Sequence, residues 1–533
     1  MPTVAGVVAA EIAAAGVTRV FTFPGGGSNL PVLDCLDELG VDVSLVRSED
    51  GGAFMAATAG DLTARPGVLL VGLGPGAASA ANGVAHAWLD RSPLVLIVDR
   101  FSPGEARSSG HQLIDHSALF APITKAQIVL TADDAGAAVR DALELSLAQP
   151  RGPVLLELAR DVARLPANDE RRVSTAWTTA ERTARDLGEG LVALAEARRP
   201  VILVGLEARY GDNGALVALA ERLSAPVLAT YKGKGAFPES HPLFAGIVTG
   251  AAIDRQVLGR ADFLLGVGVD PVELLPREWS YDAPMLALRC SDDARDPYFG
   301  ARSTLAGPLG DSVDETARAL SYTRSEWTAG EVQTLAKSIL DSLRVDGGPL
   351  TAWNVVECVQ AEVGDAIVSV DAGAHMFAAT WFWRSERRNR FLISNGLASM
   401  GYAVPAAIAA SLVEPQETVV AFTGDGGFML NAAELETAAR LGVKAIVVVL
   451  NDASLSLIRV KQDEQRLTRC SLDYLRSDFA ALARSLGVHG ATARDEPELR
   501  RAVQAAREAD GTTVIDVRID GSEYTELNRL IRG

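Results

Sequence analysis

A carboxylate at Asp425 and an amide at Asn451 stand 26 residues apart, each at the end of a short apolar run. Val419–Thr423 leads into Gly424-Asp425-Gly426-Gly427, and Ala445–Leu450 leads into Asn451-Asp452. Both side chains offer hard oxygen ligands, which suit Mg²⁺ or Ca²⁺, and Mg²⁺ often completes its octahedral shell with phosphate oxygens. The glycines beside Asp425 leave room for backbone N–H groups to approach such a phosphate. A GDG tripeptide alone is also an ordinary turn. The strand before it, the helical pattern after it (Asn431 to Leu441, with Glu434 and Glu436) and the Asn-Asp ending the next strand together describe a βαβ unit. That geometry sets the two strand ends side by side.

Glu49 follows another apolar run, Val41–Val46, and reads either as an acid–base group or as a charge at a helix N-terminus. Gly72-Leu73-Gly74-Pro75-Gly76 invites a nucleotide-loop reading, but its spacing is not GxGxxG and Pro75 removes a donor N–H.

The elements that must position these groups alternate along the chain. Strand-like runs at 17–23, 41–46, 68–71 and 94–98 are separated by Ala-rich helical stretches in a first block that closes near Leu165. Pro166 to Arg185 is polar and reads as a linker. A second block, about 186–322, has strands at 200–205, 226–229, 263–267 and 284–288. A polar connection, Thr323 to Gly348, precedes a third block, 349–533, with strands at 366–370, 419–422, 445–450 and 513–517. Uninterrupted apolar runs bounded by Gly or Pro are what parallel sheets covered on both faces require. Three α/β units of doubly wound type are expected, the first and third as structural relatives.

The composition, 48% hydrophobic and 22% charged over 533 residues, is that of a folded protein. A net charge of −18 argues against nucleic acid or an anionic membrane as the main partner. Cys35, Cys290, Cys358 and Cys470 form no CxxC or Cys/His cluster, so reduced thiols in a cytoplasmic protein are expected rather than structural zinc. The N-terminus carries Glu11 and no basic region, and reads as an amphipathic helix rather than a signal peptide. No apolar stretch is long enough to span a membrane.

The Gly424–Asn451 arrangement resembles the thiamine-diphosphate-dependent enzymes of the acetolactate synthase, pyruvate oxidase and 2-oxo acid decarboxylase group, whose signature is GDG followed some distance later by NN. Here the second Asn is Asp452. The resemblance covers nearly the whole chain. Phe21 to Asn29 (FTFPGGGSN) looks like the glycine turn of the pyrimidine-binding domain and implies cofactor contact at Pro24 and Gly25. Val46 to Ala57 looks like the segment of the catalytic glutamate, here Glu49, with Ser48 where relatives often have His. Leu73 to Asp90 looks like the GPG…N stretch, which implicates Asn82. Asp371 to His375 and Asn395 to Ala407 look like the loops that hold the diphosphate and the bent cofactor, implicating Ala374, His375, Ala398 and Met400. Met400 is otherwise an ordinary core methionine. Asp425, Asn451 and the main-chain oxygen of Ala453 are implied as the Mg²⁺ ligands, with Gly424, Gly426, Gly427 and Ser454 beside the diphosphate.

The resemblance implies a pyrimidine-binding domain, a central Rossmann-like domain and a diphosphate-binding domain. It also implies a homodimer or homotetramer whose sites lie between subunits, Glu49 facing the metal-bearing domain of another copy. Glu49, kept dry by apolar neighbours, would exchange a proton with the aminopyrimidine. His111 and Gln112 align with a loop that faces the thiazolium in carboligating relatives and could donate to substrate. His116, Ser456 and Arg459 are weaker substrate-side candidates, and His86 reads as a packed helix residue. The expected activity is a carboligase or lyase acting on a 2-oxo acid and a carbonyl acceptor, with no FAD in the central domain. The alternatives are simple decarboxylation to an aldehyde, a non-catalytic binding or regulatory subunit, and a flavin or nicotinamide oxidoreductase.

Overall fold

The structure is a computed structural model that describes residues 2–108, 110–167, 182–211, 213–291 and 298–533. Residues 168–181 of the expected linker lie outside the described residues. The N-terminal sheet has strands β1 (Arg19–Phe23), β2 (Asp42–Leu45), β3 (Gly67–Val71), β4 (Leu94–Arg100), β5 (Ala126–Val129) and β6 (Val154–Ala159). The central sheet has β7 (Thr183–Arg185), β8 (Pro200–Val204), β9 (Val227–Ala229), β10 (Phe244–Ile247), β11 (Phe263–Val267), β12 (Met285–Arg289) and β13 (Ser303–Ala306). The C-terminal sheet has β14 (Ile367–Val370), β15 (Phe391–Ile393), β16 (Val419–Gly424), β17 (Ile446–Asn451), β18 (His489–Ala493) and β19 (Thr513–Arg518). Every residue of β3, β8, β11, β14 and β17 is buried, because helices cover both faces. This is why their sequences run apolar without alternation.

Strand order decides where a ligand can enter. The N-terminal sheet runs β2-β1-β3-β4-β6-β5 and the C-terminal sheet runs β15-β14-β16-β17-β19-β18. Counted from the first strand of each, the two orders are the same, so the expected kinship of the first and third blocks holds at the level of topology. The central sheet runs β10-β9-β8-β11-β12-β13, the dinucleotide-fold order, with β7 added antiparallel at the edge. β7 comes from the segment expected to be linker. In such sheets the crevice opens outside the carboxyl ends of the strands where the order reverses. That point lies between β1 and β3 in the N-terminal domain and between β14 and β16 in the C-terminal domain. The glycine turns at 24–27 and 72–76 follow the first pair, and the segments 371–375 and 424–427 follow the second.

The central and C-terminal domains share one hydrophobic core, and two junctions hold the N-terminal domain to the other two. The helix Glu49–Thr63 of the N-terminal domain packs on the helix Ala403–Val413 of the C-terminal domain through one shared core that includes Ala53, Phe54, Ala57, Tyr402, Ala406 and Ala410. Small side chains there let the helix backbones approach closely. The second junction is ionic and buried. Asp61 and Asp90 of the N-terminal domain meet Arg209 and Lys232 of the central domain, all four at most 3% exposed. Asp61 accepts from Arg209 Nη1 at 2.9 Å and from Tyr210 Oη at 2.8 Å, and Lys232 Nζ lies 3.2 Å from Asp90 Oδ1.

Burial by itself would raise both carboxyls. The Arg209 and Lys232 charges outweigh it at Asp61, and the Lys232 charge and His86 outweigh it at Asp90, so both are held below the usual carboxylate range. A depressed folded-state value contributes stability that is complete above the unfolded value, about 3.9, and is lost as pH falls through the folded value. Asp61→Asn leaves Arg209 buried without its charge partner and is expected to cost about 3 kcal/mol at pH 7. Thermal unfolding of wild type and variant as a function of pH checks this. Their midpoints should differ at pH 7 and converge below about pH 4.

Candidate active site

β16 and β17 pair in parallel with Gly424 opposite Leu450, so the next residues, Asp425 and Asn451, are neighbours as the spacing predicted. Asp425 Oδ1 accepts from the Gly426 N–H at 2.8 Å, while its Oδ2 is buried and has no hydrogen-bond partner. Asn451 is fully buried. Its Nδ2 donates to Asp516 Oδ1 at 2.9 Å and to the Ser477 carbonyl at 3.3 Å, which fixes the amide and leaves Oδ1 unpartnered. Ala453 follows in the left-handed region, φ 61°, and its carbonyl accepts from the Tyr474 N–H at 2.8 Å, leaving a second lone pair. Burial, then the charge of Asp452, pushes the Asp425 carboxyl up to about 6. A carboxylate oxygen and an amide oxygen, both desolvated and both without a donor, fit a divalent cation.

A cavity of about 250 Å³ opens beside these oxygens at the reversal between β14 and β16. Its lining includes Ala374, His375, Ala398, Met400, Gly424, Asp425, Gly426, Gly427 and Ser454, nine of the residues implicated from sequence. A Cβ at Gly427 would fall 2.3 Å from Asp371 Oδ2, and one at Gly426 would fall 3.1 Å from Met400 Cε. A side chain at 427 would therefore collide with the buried Asp371, and one at 426 would press on Met400 at the cavity wall. His375 is buried, and burial pushes its imidazole down to about 4, so the ring is neutral at neutral pH; its Nε2 has no partner. The Ser454 hydroxyl is likewise buried without a partner.

Asp371, quoted from sequence only as the start of a loop, is the fastener of the crevice. It is fully buried and accepts from Thr423 Oγ1 at 2.6 Å and from the Ala403 N–H at 3.0 Å, tying β16 to the segment that carries Met400. Tyr524 and Arg532, both on the last helix, Tyr524–Arg532, also line the cavity. They lie so far along the chain from the GDG segment that no local pattern marks them. Ser456 lines the cavity as well, its hydroxyl bonded to Asp452. Arg459 is not a solvated charge: it donates to Ser456 Oγ at 2.9 Å and to the Gly521 carbonyl at 3.4 Å.

The remaining predicted residues lie elsewhere. Among the described residues no residue of the N-terminal domain lines this cavity. Pro24 and Gly25 sit at the other reversal, where a Cβ on Gly25 would fall 2.7 Å from Gly72 Cα. In the same place a Cβ on Gly76 would fall 3.2 Å from Glu49 Oε1, and one on Gly74 would fall 2.2 Å from the Gln112 carbonyl. Glu49, Gln112 and the two glycine turns thus converge at the carboxyl edge of the N-terminal sheet, with His111 beside them in an exposed segment. Glu49 was expected to be dry; it is only half-buried in the single chain, because nothing from the C-terminal cavity covers it. The backbone around it is nonetheless gripped by the C-terminal domain: Glu434 Oε1 accepts from the Arg47 and Ser48 N–H groups, each at 3.0 Å. Asn82 donates to Asp50 Oδ1 at 3.1 Å and to Ser399 Oγ at 3.0 Å, the latter between the cavity residues Ala398 and Met400. His116 is buried against Glu157 Oε1 at 2.9 Å, and His86 is buried at the ionic junction rather than in a plain core.

Comparison with known proteins agrees with this arrangement. Residues 2–119 match "Thiamine pyrophosphate enzyme, N-terminal TPP binding domain", residues 189–284 match its central domain and residues 371–517 match its C-terminal TPP binding domain. Over 93% of its length the chain is 30% identical to the acetolactate synthase large subunit of Corynebacterium glutamicum, covering 83% of that protein. It is 28% identical to the acetolactate synthase of Bacillus subtilis over 96% of its length, covering 92% of that protein. The same identity and share of this chain hold for the acetolactate synthase isozyme 3 large subunit of Escherichia coli, of which 93% is covered.

The raised carboxyl of Asp425 has a measurable consequence. The carboxyl costs the metal-free fold stability as pH rises from the unfolded value, about 3.9, to about 6, and the cost is full above that. Asp425→Asn is therefore expected to raise the thermal midpoint of the metal-free protein at pH 7.5, to raise it by a smaller amount at pH 5, and to show no further rise with Mg²⁺ and thiamine diphosphate. Differential scanning fluorimetry at the two pH values reads both effects.

Proposed function

The chain belongs to the thiamine pyrophosphate enzymes, and we propose that it is a Mg²⁺-dependent carboligase or lyase that takes a 2-oxo acid as donor and a carbonyl compound as acceptor. It is a C–C bond-forming enzyme related to acetolactate synthases. The observation that carries the finer reading is the pair of unpartnered oxygens, Asp425 Oδ2 and Asn451 Oδ1, at adjoining strand ends beside a preformed cavity. Asp425, Asn451 and the Ala453 carbonyl would hold Mg²⁺. The Gly426 and Gly427 N–H groups, His375 and Ser454 would face the diphosphate, and Ala398 and Met400 would hold the ring system bent. Bound there, thiamine diphosphate supplies an electron sink that lets the carboxyl carbon of a 2-oxo acid leave as carbon dioxide.

Glu49 is the group placed to exchange a proton with the pyrimidine, yet it lines no part of the cavity of its own chain. Two copies exchanging domains would complete two sites, each with Glu49 from one and Asp425 from the other. The covering domain of the second copy would also supply the dryness that a proton-exchanging glutamate requires. His111 and Gln112 would then reach the substrate as hydrogen-bond donors. In the central domain the cavity at the carboxyl ends of β8, β11 and β12 is only about 40 Å³ and is lined by Glu207, Asp270 and Arg289 among others. We propose a central domain without flavin. A colourless purified protein is the expected observation.

Glu49→Gln is expected to bind cofactor and to lose about 100-fold in turnover. Co-expression with Asp425→Asn tests the shared site. Each variant alone should be inactive, and the mixture should recover about a quarter of wild-type activity, because hybrid dimers keep one intact site of two. No recovery would place both groups in the site of one chain. A screen of 2-oxo acids and acceptors read by mass spectrometry should return a coupled hydroxyketone product; a free aldehyde as the sole product would make the enzyme a simple decarboxylase.

A further inference from the structure

We propose that Lys232 of the central domain is a positioning residue for the cofactor crevice, acting through Asp90 on the loop that carries Met400. The inference rests on the reading of Met400 as the residue against which the cofactor bends. The chain of contacts is continuous and buried. Lys232 Nζ lies 3.2 Å from Asp90 Oδ1. The same oxygen accepts from the backbone N–H of Asn395 at 3.1 Å and of Gly396 at 3.3 Å. The other carboxylate oxygen of Asp90 lies 2.9 Å from His86 Nδ1. That ring nitrogen is also 3.0 Å from Ser394 Oγ, which in turn accepts from the Ser399 N–H at 3.1 Å. The segment Ser394–Ser399 is thus pinned at both ends by groups that converge on one carboxylate, and Ala398 and Met400, at its far end, line the cavity.

The charge balance explains why Lys232 matters. Two carboxylates, Asp61 and Asp90, are buried here with two cations, Arg209 and Lys232. The Arg209 guanidinium is engaged by Asp61 at 2.9 Å and reaches Asp90 only at its main-chain carbonyl, at 3.0 Å. Lys232 Nζ is 3.7 Å from Asp61 and closer to Asp90. It is therefore the full cation that allows the Asp90 side chain to stay ionised in a dry place. Without it the carboxylate must protonate or draw in water, and either change weakens its hold on the two N–H groups. The central domain adds a second grip on the same loop, since Asn395 Nδ2 donates to the Glu273 carbonyl at 3.1 Å. Nothing else in the central domain comes to the crevice: no residue of 186–322 lines the cavity among the described residues.

The test uses the full chain with Lys232→Met and Lys232→Arg. Amide hydrogen exchange is followed first, without cofactor. Lys232→Met should exchange the 394–401 amides roughly tenfold faster than wild type while the 419–424 strand keeps its protection, and Lys232→Arg should restore most of the difference. With thiamine diphosphate and Mg²⁺ added, deuterium exchange at C2 of the bound cofactor, read by NMR, should slow roughly tenfold in Lys232→Met at saturating cofactor, with recovery in Lys232→Arg. Unchanged protection of 394–401, or loss of protection across 419–424 as well, would overturn the proposal. If Lys232→Met gives no folded protein, Lys232→Gln takes its place with the same expectations. The 394–401 effect in Lys232→Met, together with no C2 exchange even in wild type, would sink the functional reading and leave the anchoring of the loop standing.

Discussion

The C-terminal domain tolerates two buried oxygens with no hydrogen-bond donor, Asp425 Oδ2 and Asn451 Oδ1, and the surrounding architecture exists to keep them so. Leaving such a group unsatisfied costs about 1–3 kcal/mol, more when it is charged. An adaptable site would relax: the amide would rotate or a backbone N–H would move in. Here rotation is blocked, because Asp516 and the Ser477 carbonyl take both protons of the Asn451 amide. The parallel register of β16 and β17 fixes the separation of the two residues, and glycines at 426 and 427 keep side chains out of the space in front of them. On the proposed reading, a cation bound there would relieve this cost and would link the stability of the domain to occupancy of its crevice.

What could be read from sequence follows from how local each feature is. The strands buried on both faces, such as β11 (FLLGV) and β17 (IVVVLN), announce themselves as apolar runs. Edge and short strands do not: β5, β7, β15 and β18 are brief or partly exposed, and their pairing is decided by partners distant in the chain. The helical stretch expected from Asn431 starts earlier, at Asp425, and is split into Asp425–Asn431 and Glu434–Arg440, since a glycine pair can be helical when packing demands it. Nine cavity residues were legible because they cluster in short motifs at strand ends. Asp371, Tyr524 and Arg532 were not, since their roles depend on which strand ends and which terminal helix meet in space. The burial of Glu49 departs from expectation in another way: the side chain is half-buried in the single chain, where apolar neighbours were expected to keep it dry.

The central domain acts on the other two through contacts that can be traced residue by residue. Its strand order is that of a dinucleotide fold, and Glu207 and Arg289 line a cavity of about 40 Å³ at its reversal. Burial pushes Glu207 up to about 7 and Glu273 to about 8, so this region holds protonatable groups packed for structure. Its connection to the C-terminal domain is a shared hydrophobic core, while its connection to the N-terminal domain is ionic, through Arg209 and Lys232 to the two aspartates. A rigid, desolvated charge cluster is a better spacer than a greasy surface, because each contact has one permitted geometry and slippage carries an electrostatic cost.

The repeated strand order of the two outer domains bears on assembly as a matter of parity. Each chain brings one receptacle for either end of an elongated guest, and the two receptacles do not meet within it. On the proposed shared-site reading, a pair related by a two-fold axis would use all four with no remainder, whereas an open head-to-tail stack would leave one of each kind vacant at the tips. Saturation by the guest would then favour a closed particle over a growing polymer.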